Sequence, residues 1–373
     1  MLAVKIVFWV AVGLLVFAHV GYPLLVRLLG RSRPKRAEPG SKVPYVSLII
    51  AAHDEAPVIE AKIANALKID YPRERLDVIV ASDGSTDRTA ELARKAGADL
   101  VLDLPRAGKT ATQNAAVEKA RGEVLAFSDA NSFWEPGALR RLVERFADDH
   151  VGYVCGQVRF TDAEGDNQEG LYWRYEMWVR EGESRLAGIT AGNGAIYAMR
   201  KGSYVSVGPS GSHDLSLPFA LTKRRWRCVY EPMAIAEEKL VPTLEGEFAR
   251  KRRMMRGVWD VVVGEGMLSP RGYPPLYALE ILSHRVLRYG SPLLHVIALG
   301  TNIALVTQGP VYAAMLGAQL ALAAGAALGA AVPVGPLRVA RYYVLVTASI
   351  AAGLWDRLRL GPQASWEKAE GAR

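Results

Sequence analysis

Three short stretches carry carboxylates at points where an apolar run stops: AAHDEA (51–56), ASDGSTD (81–87) and SDAN (128–131). They offer His53, Asp54 and Glu55, then Asp83, then Asp129 with Asn131 two residues on. So many acids gathered in one cleft repel one another, and they call for a cation, a sugar nucleotide with its metal, or hydrogen-bond donors nearby. Each stretch alone has a structural reading. DGSTD is a turn leading into a helix N-cap, and HDE is a solvated loop. The signal lies in all three recurring at the ends of successive apolar runs. A fourth stretch, DLPRAGKT (103–110), is close to a phosphate-binding loop, but it has Asp103 where that motif needs a glycine. Lys109 at a helix start can still hold a phosphate as a point charge; a solvated lysine is the competing reading. AGNGAIYAMR (191–200) lacks the third glycine and the helix-opening context of a dinucleotide fingerprint, which excludes a dehydrogenase of that kind.

The elements that must position these groups alternate. Strands are expected at 45–52, 76–82, 99–104, 124–128, 151–160 and 228–230, with helices at 58–67, 88–95, 110–121 and 137–146. Such alternation predicts an α/β fold with a mostly parallel sheet covered on both faces. Ligands on such sheets bind at the carboxyl ends of the strands, where Glu55, Asp83 and Asp129 fall.

The chain has 373 residues and a net charge of +8, and its apolar residues concentrate at the two ends. Residues 6–26 are long and apolar enough to cross a bilayer, and RSRPKR follows them rather than a small-residue cleavage site. Arg27, Arg31, Arg33, Lys35 and Arg36 follow this segment, while Arg271, Arg285 and Arg288 precede the next apolar one. That distribution favours anionic membrane lipids over nucleic acid as the partner of the basic surface. The expected organisation is a transmembrane helix at 1–30, a basic linker at 31–45, a cytoplasmic catalytic domain at 46–265, an interfacial helix region at 266–290, transmembrane segments at 291–356 and a polar tail at 357–373. The positive-inside rule puts the catalytic domain on the cytoplasmic side of the inner (plasma) membrane. Four spans would leave the C-terminus outside, whereas Arg357, Arg359 and Lys368 favour inside. Cys155 and Cys228 lie in apolar runs and read as buried free thiols.

The combination of AAHDEA, VIVASDGSTD, GKTATQNAAVEKARGEVLAFSDAN, AGNGAIYAMRK, SHDLSLP and RKRRMMRG, in that order, resembles the membrane-anchored family 2 glycosyltransferases of GT-A (Rossmann-like) fold. The resemblance covers almost the whole chain. It implies that Glu55 and Asp83 lie near the base and ribose of a nucleotide-sugar donor. It also implies that Asp129 and Asn131 grip a divalent Mg²⁺ or Mn²⁺ on the donor's diphosphate. Here the family's Asp-x-Asp is Asp-Ala-Asn, so one metal ligand is a neutral carbonyl oxygen. Asp214, after the glycine-rich segment, would be the base that takes a proton from the acceptor hydroxyl in an inverting attack. From its surroundings in sequence alone, Asp214 reads as a helix N-cap. Arg253 and Arg256 share a helix face and would neutralise the leaving diphosphate, or else lie on the membrane surface.

The expected activity is transfer of a sugar from a nucleotide-sugar donor, of the UDP class, to a lipid-linked or cell-envelope glycan acceptor. A processive polysaccharide synthase of the cellulose, chitin or hyaluronan type is the alternative. RMMRG in place of Gln-x-x-Arg-Trp and the small number of C-terminal spans argue against it. Trp173, Tyr175 and Trp178 either stack on a sugar or pack beneath the membrane interface.

Overall fold

The computed structural model describes residues 1–31, 43–161, 168–239, 244–332 and 334–361. The first 31 residues form one helical rod, α1 (Leu2–Val16), a π-helical turn (Phe17–Gly21) and α2 (Tyr22–Arg31). The domain then alternates: β1 (Val46–Ala52), α3 (Ile59–Leu67), β2 (Leu76–Asp83), α4 (Thr89–Lys95), β3 (Leu100–Leu104), α5 (Lys109–Lys119) and β4 (Val124–Asp129). Next come β5 (Phe133–Trp134), α6 (Ala138–Glu144), β6 (Val151–Thr161), α7 (Gln168–Leu186), β7 (Tyr197–Arg200), α8 (His213–Lys223) and β8 (Arg227–Lys239). After α9 (Leu244–Gly264) follow α10 (Pro275–Glu280), a π-helical stretch (Ile281–Val286), α11 (Leu287–Tyr289), α12 (Ser291–Leu305), α13 (Pro310–Leu328) and α14 (Gly335–Leu360).

The eight strands form one sheet in the order β3-β2-β1-β4-β7-β6-β8-β5. The first four are parallel; β7 runs antiparallel to both of its neighbours. In β1, Leu48 and Ile50 face one core with Ile63, Leu139 and Leu142, while Ile49 faces the other with Val117, Leu217 and Leu221. Both faces are covered, so β1 and β2 are buried at every position, as continuous apolar strands require. The expected strands are present, and two short ones (β5 and β7) escape the sequence patterns. β8 extends nine residues beyond the expected Tyr230. Glu231 and Pro232 mask its continuity, and the β6–β8 register shifts between Cys155 and Gln157, opposite this point.

Four helical segments are long and apolar enough to cross a membrane: Leu2–Arg31, Ser291–Gln308, Pro310–Leu328 and Gly335–Leu360. The first and third pack at their distal ends, where Phe8 contacts Tyr312 edge to face at 5.5 Å. α14 turns back to the domain and lies along α9. Arg252 makes a bidentate pair with Asp356 (2.6 Å each), Arg357 meets buried Asp260 at 2.9 Å, and Trp259 donates to the Ile350 carbonyl at 3.1 Å. The end of α14 is therefore on the domain's side of the molecule.

The segment 276–290 falls in the region expected to be interfacial (266–290). That segment is buried inside the molecule, with His284, Arg285 and Arg288 each under 10% exposed. Their partners explain why. Buried Glu183 of α7 accepts from the Tyr22 hydroxyl at 2.7 Å and lies 2.6 Å from His284 Nδ1. Arg288 pairs with Glu176 and donates to the Tyr172 hydroxyl at 2.7 Å. Arg288 thus meets an acid of α7, and Arg285 donates to the Thr190 hydroxyl at 2.9 Å. Trp173 donates to the Val158 carbonyl and Tyr175 to that of His19, both at 2.9 Å, so these rings pack within the protein.

Gly353 sets the α9–α14 approach: a Cβ there would stand 2.7 Å from the Met255 Cβ and 2.9 Å from the Arg256 nitrogen. Gly353→Leu should destabilise the protein by about 1–3 kcal/mol, the usual cost of overpacking a tight contact. Thermal unfolding in detergent checks this, and an unchanged midpoint would show that the two helices are free to separate.

Candidate active site

The parallel register brings the strand-end acids to one edge. Ala51 of β1 pairs with Asp129, and Ala52 pairs with Ser82, one residue before Asp83. Asp83 is fully buried. Its Oδ1 accepts from the backbone N–H groups of Ala107 (2.7 Å) and Gly108 (3.0 Å), and Arg106 lies 3.4 Å from Oδ2. The carboxylate thereby fixes the loop that turns at Gly108 (φ +93°) into α5. Glu55 sits at the same edge; its N–H donates to the Thr89 hydroxyl at 2.8 Å.

That loop delivers Lys109 to Asp129. The two side chains form a direct ion pair, each roughly a quarter exposed (24% and 23%), so it faces an opening rather than the core. Burial works against the Lys109 charge. Asp129, Asp214 and Glu238 outweigh it and hold the ammonium above its ordinary pKa. All three acids therefore act on one cation, and Asp129 touches it. Gly194 backs the pair: a Cβ there would come within 3.0 Å of Nζ and 3.4 Å of Asp129 Oδ2. The segment bearing Gly194 is held by Asn193, which donates to the Gly156 carbonyl (2.8 Å) and accepts from Ile196 N–H (3.0 Å).

Asp214 reaches the site through a defect in its own helix. Pro218 lies inside α8 and has no N–H to give to the carbonyl four residues back. That carbonyl belongs to Asp214, and it accepts instead from Gly192 N–H at 2.7 Å. The helix start is thereby pinned to the loop before β7. Arg180 holds the same loop by donating to the Gly192 carbonyl at 3.0 Å. The neighbouring His213 is not a base at physiological pH. Burial, with a smaller contribution from Lys109, pushes its pKa down to about 3. It packs edge-on to Phe127 and lies 2.9 Å from the Tyr197 hydroxyl.

Two groups that the sequence did not single out complete the surroundings. Glu238, near the end of β8, accepts from the Ser132 hydroxyl; burial and the Asp129 charge raise its pKa. Lys62 of α3 is fully buried under the Asp129 loop, donating to the Ser132 carbonyl at 2.5 Å and lying over the Trp134 ring. The alternation of AIAEE could have disclosed Glu238. A lysine on the apolar face of a helix gave no such sign.

The two arginines proposed for the leaving group differ. The Arg256 guanidinium donates to the carbonyls of Leu360 (3.3 Å) and Gly361 (2.9 Å), where it meets the negative end of α14. Arg253 lies about one turn earlier on α9. Arg250, on the same helix, acts on Glu238 together with Asp129 and Lys109.

A divalent metal would find Asp129 and Asn131 here, an all-oxygen set suited to Mg²⁺ or Mn²⁺. No group of three or more histidine, cysteine or acidic ligands suited to a metal occurs among the described residues. Any metal held by Asp129 and Asn131 would take its remaining ligands from phosphate and water.

Residues 47–206 match the model of glycosyl transferase family 2. The chain carries a family 2 glycosyltransferase domain. The β-monoglucosyldiacylglycerol synthase of Nostoc sp. is 27% identical over 296 residues, 71% of this chain and 62% of that protein. The poly-β-1,6-N-acetyl-D-glucosamine synthase of Staphylococcus aureus is 24% identical over 230 residues, 58% of this chain and 55% of that one. The chain thus spans about 62% or less of the length of these two relatives. A mannosyltransferase of Pyrobaculum calidifontis, solved with GDP-Man and Mn²⁺, superposes with a TM-score of 0.74 at 24% identity, over 94% of this chain and 99% of its own. The glycosyltransferase domain has the GT-A arrangement, with apolar helices at both flanks.

Lys62 gives the domain a pH signature. Burial lowers its pKa from 10.5 to about 7, against the pull of Asp129 and Glu238. Between these values the unfolded chain binds the extra proton, so this residue's contribution to stability rises with pH from about 7 to 10.5. Below about pH 7 the cost of burying the charge is fully present. Urea unfolding of wild type and Lys62→Met across pH 6–10 should show the mutant losing that upward slope; parallel curves would mean that Lys62 stays charged when folded.

Proposed function

We propose that the protein is an inverting, metal-dependent glycosyltransferase that moves one sugar from a nucleotide-sugar donor to a lipid-linked or cell-envelope glycan acceptor at the inner membrane. The observation that carries this reading is the gathering of Asp129, Asp214 and Glu238 around Lys109 at the carboxyl end of the sheet. A diphosphate is the ligand that such a mixture of cation, carboxylate and metal-type oxygens suits.

Asp129 and Asn131 would hold Mg²⁺ or Mn²⁺, which supplies charge neutralisation for the departing nucleoside diphosphate. Lys109 adds a fixed positive charge beside the same oxygens, already desolvated and oriented before the donor arrives. Asp83 and Glu55 flank the nucleotide side of the edge. Asp83 acts through the loop that carries Lys109, since both of its oxygens face that loop. Arg253 is the other arginine that the family resemblance sets beside the leaving group. Asp214 takes the proton from the acceptor hydroxyl as its oxygen attacks the anomeric carbon and the bond to the diphosphate breaks on the opposite face.

The membrane-type helices support a hydrophobic acceptor. Among the relatives, the Nostoc protein is named for a glucosyldiacylglycerol and the staphylococcal one for a polysaccharide. Single transfer is preferred over polymer synthesis because Gly257 stands where the processive enzymes carry a tryptophan. Donor identity within the UDP class rests on the family resemblance.

Two experiments test this. Purified protein is incubated with UDP-glucose, UDP-N-acetylglucosamine and GDP-mannose, with Mn²⁺ or Mg²⁺ and with vesicles containing diacylglycerol. Diphosphate release that depends on both metal and vesicles is expected, with one sugar per acceptor; a ladder of polymers would select the processive alternative. Asp129→Ala should lower turnover by at least ~100-fold. Asp214→Asn should keep donor affinity by calorimetry yet lose turnover by about 10²–10⁴-fold. Wild-type turnover by Asp214→Asn would remove the assigned base.

A further inference from the structure

We propose that Glu265 is a positioning residue for Asp214, and that through it the last apolar helix sets the geometry of the base. The inference rests on the reading of Asp214 as the base.

Glu265 immediately follows α9, and its N–H still donates to the Val261 carbonyl, so the helix aims its side chain. The carboxylate reaches the N-terminal part of α8. Ser216 donates to Glu265 Oε2 at 2.5 Å, and the Ser212 N–H donates to the same Ser216 hydroxyl at 3.3 Å. Asp214 lies between Ser212 and Ser216. The turn before it is shaped to the same carboxylate, because a Cβ at Gly211 would overlap Glu265 Oε1. The turn's other side is tied to the cation helix, where Thr110, next to Lys109, donates to the Gly211 carbonyl at 2.8 Å. The far end of α8 is tied to the turn after α9: Lys223 donates to the Gly266 carbonyl at 2.6 Å. The segment bearing Asp214 is thus clamped between Lys109's helix and Glu265.

Glu265 is itself held by the membrane-type helix. Asp260, about one turn earlier on α9 and only 3% exposed, pairs with Arg357 of α14. Arg252 and Arg256 secure the earlier turns of α9 to the end of α14. A shift of α14 therefore moves α9, then Glu265, then the turn that carries the base. Displacements of about 1 Å at a reacting group cost on the order of 100-fold in rate, so the link has leverage.

The test uses the full chain in detergent with the nucleotide sugar that wild type turns over, comparing Glu265→Ala, Glu265→Gln, Ser216→Ala, Asp356→Ala and Asp214→Asn. Glu265→Ala should lower kcat roughly 10- to 100-fold while donor affinity by calorimetry stays within about twofold. Glu265→Gln, which retains an acceptor for Ser216, should recover most of that loss. Ser216→Ala, a smaller change in packing, should show the same kcat-selective signature, and Asp356→Ala a weaker form of it. Wild-type kcat in both Glu265→Ala and Ser216→Ala overturns the proposal, as does a loss of donor affinity proportional to the loss of rate. Should Glu265→Ala fail to fold, Ser216→Ala and Glu265→Gln decide. An active Asp214→Asn refutes the base itself; an inactive one beside an unaffected Glu265→Ala refutes only the positioning role.

Discussion

A carboxylate at the end of a buried parallel strand is costly unless a cation meets it, and here the cation is Lys109. The pairing with Asp129 constrains much of the domain. It requires β1 and β4 in their observed register, so that Asp129 emerges at the sheet edge. It requires the loop after β3 to be held in place, which Asp83 does from beneath. It also requires the opposite wall to approach without a side chain, which Gly194 allows. Residues from four separate stretches therefore depend on one another for a single contact. Glu238 and Asp214 act on the same ammonium, and Lys62 and Arg250 act on the acids in turn, so the site is a network of both signs rather than a single pair.

Around this pair the chain uses local irregularities as attachment points. Pro218 frees a carbonyl inside α8, and the loop before β7 takes it up. Gly353 lets α14 close on α9. The π-helical stretch before α11 turns His284 and Arg285 inward onto Glu183 and Thr190. A proline, a missing side chain and a π-helical turn each become a point where two elements lock together.

Much of this was legible beforehand because it follows from short-range patterns. Apolar runs stopping at Asp83 and Asp129 marked both the sheet and its functional edge, and the order of motifs marked the family. What escaped were consequences of tertiary contact. β7 is four residues long and sits inside a glycine-rich segment, so no periodicity announces it. Arg285 and Arg288 look like lipid-facing anchors until Glu176 and Glu183, about a hundred residues away, are folded against them. Arg256 shares a face with Arg253 in any helix drawing, but only the docking of α14 reveals that a helix terminus occupies its guanidinium. Lys62 violates the apolar face of α3, and its reason, the loop after β4, is 70 residues distant.

The buried Glu183 has a further implication for biogenesis. Its imidazole partner, His284, is encoded 101 positions later. At roughly 5–20 residues per second, the ribosome takes about 5–20 s to bridge that interval. Through that window the nascent polypeptide carries an acid that Tyr22, already made, can hydrogen-bond but cannot neutralise. Maturation of the domain is therefore late, waiting on the helices after α9, and an aborted translation product ending before α10 would remain unfinished at its centre rather than merely shortened at its edge.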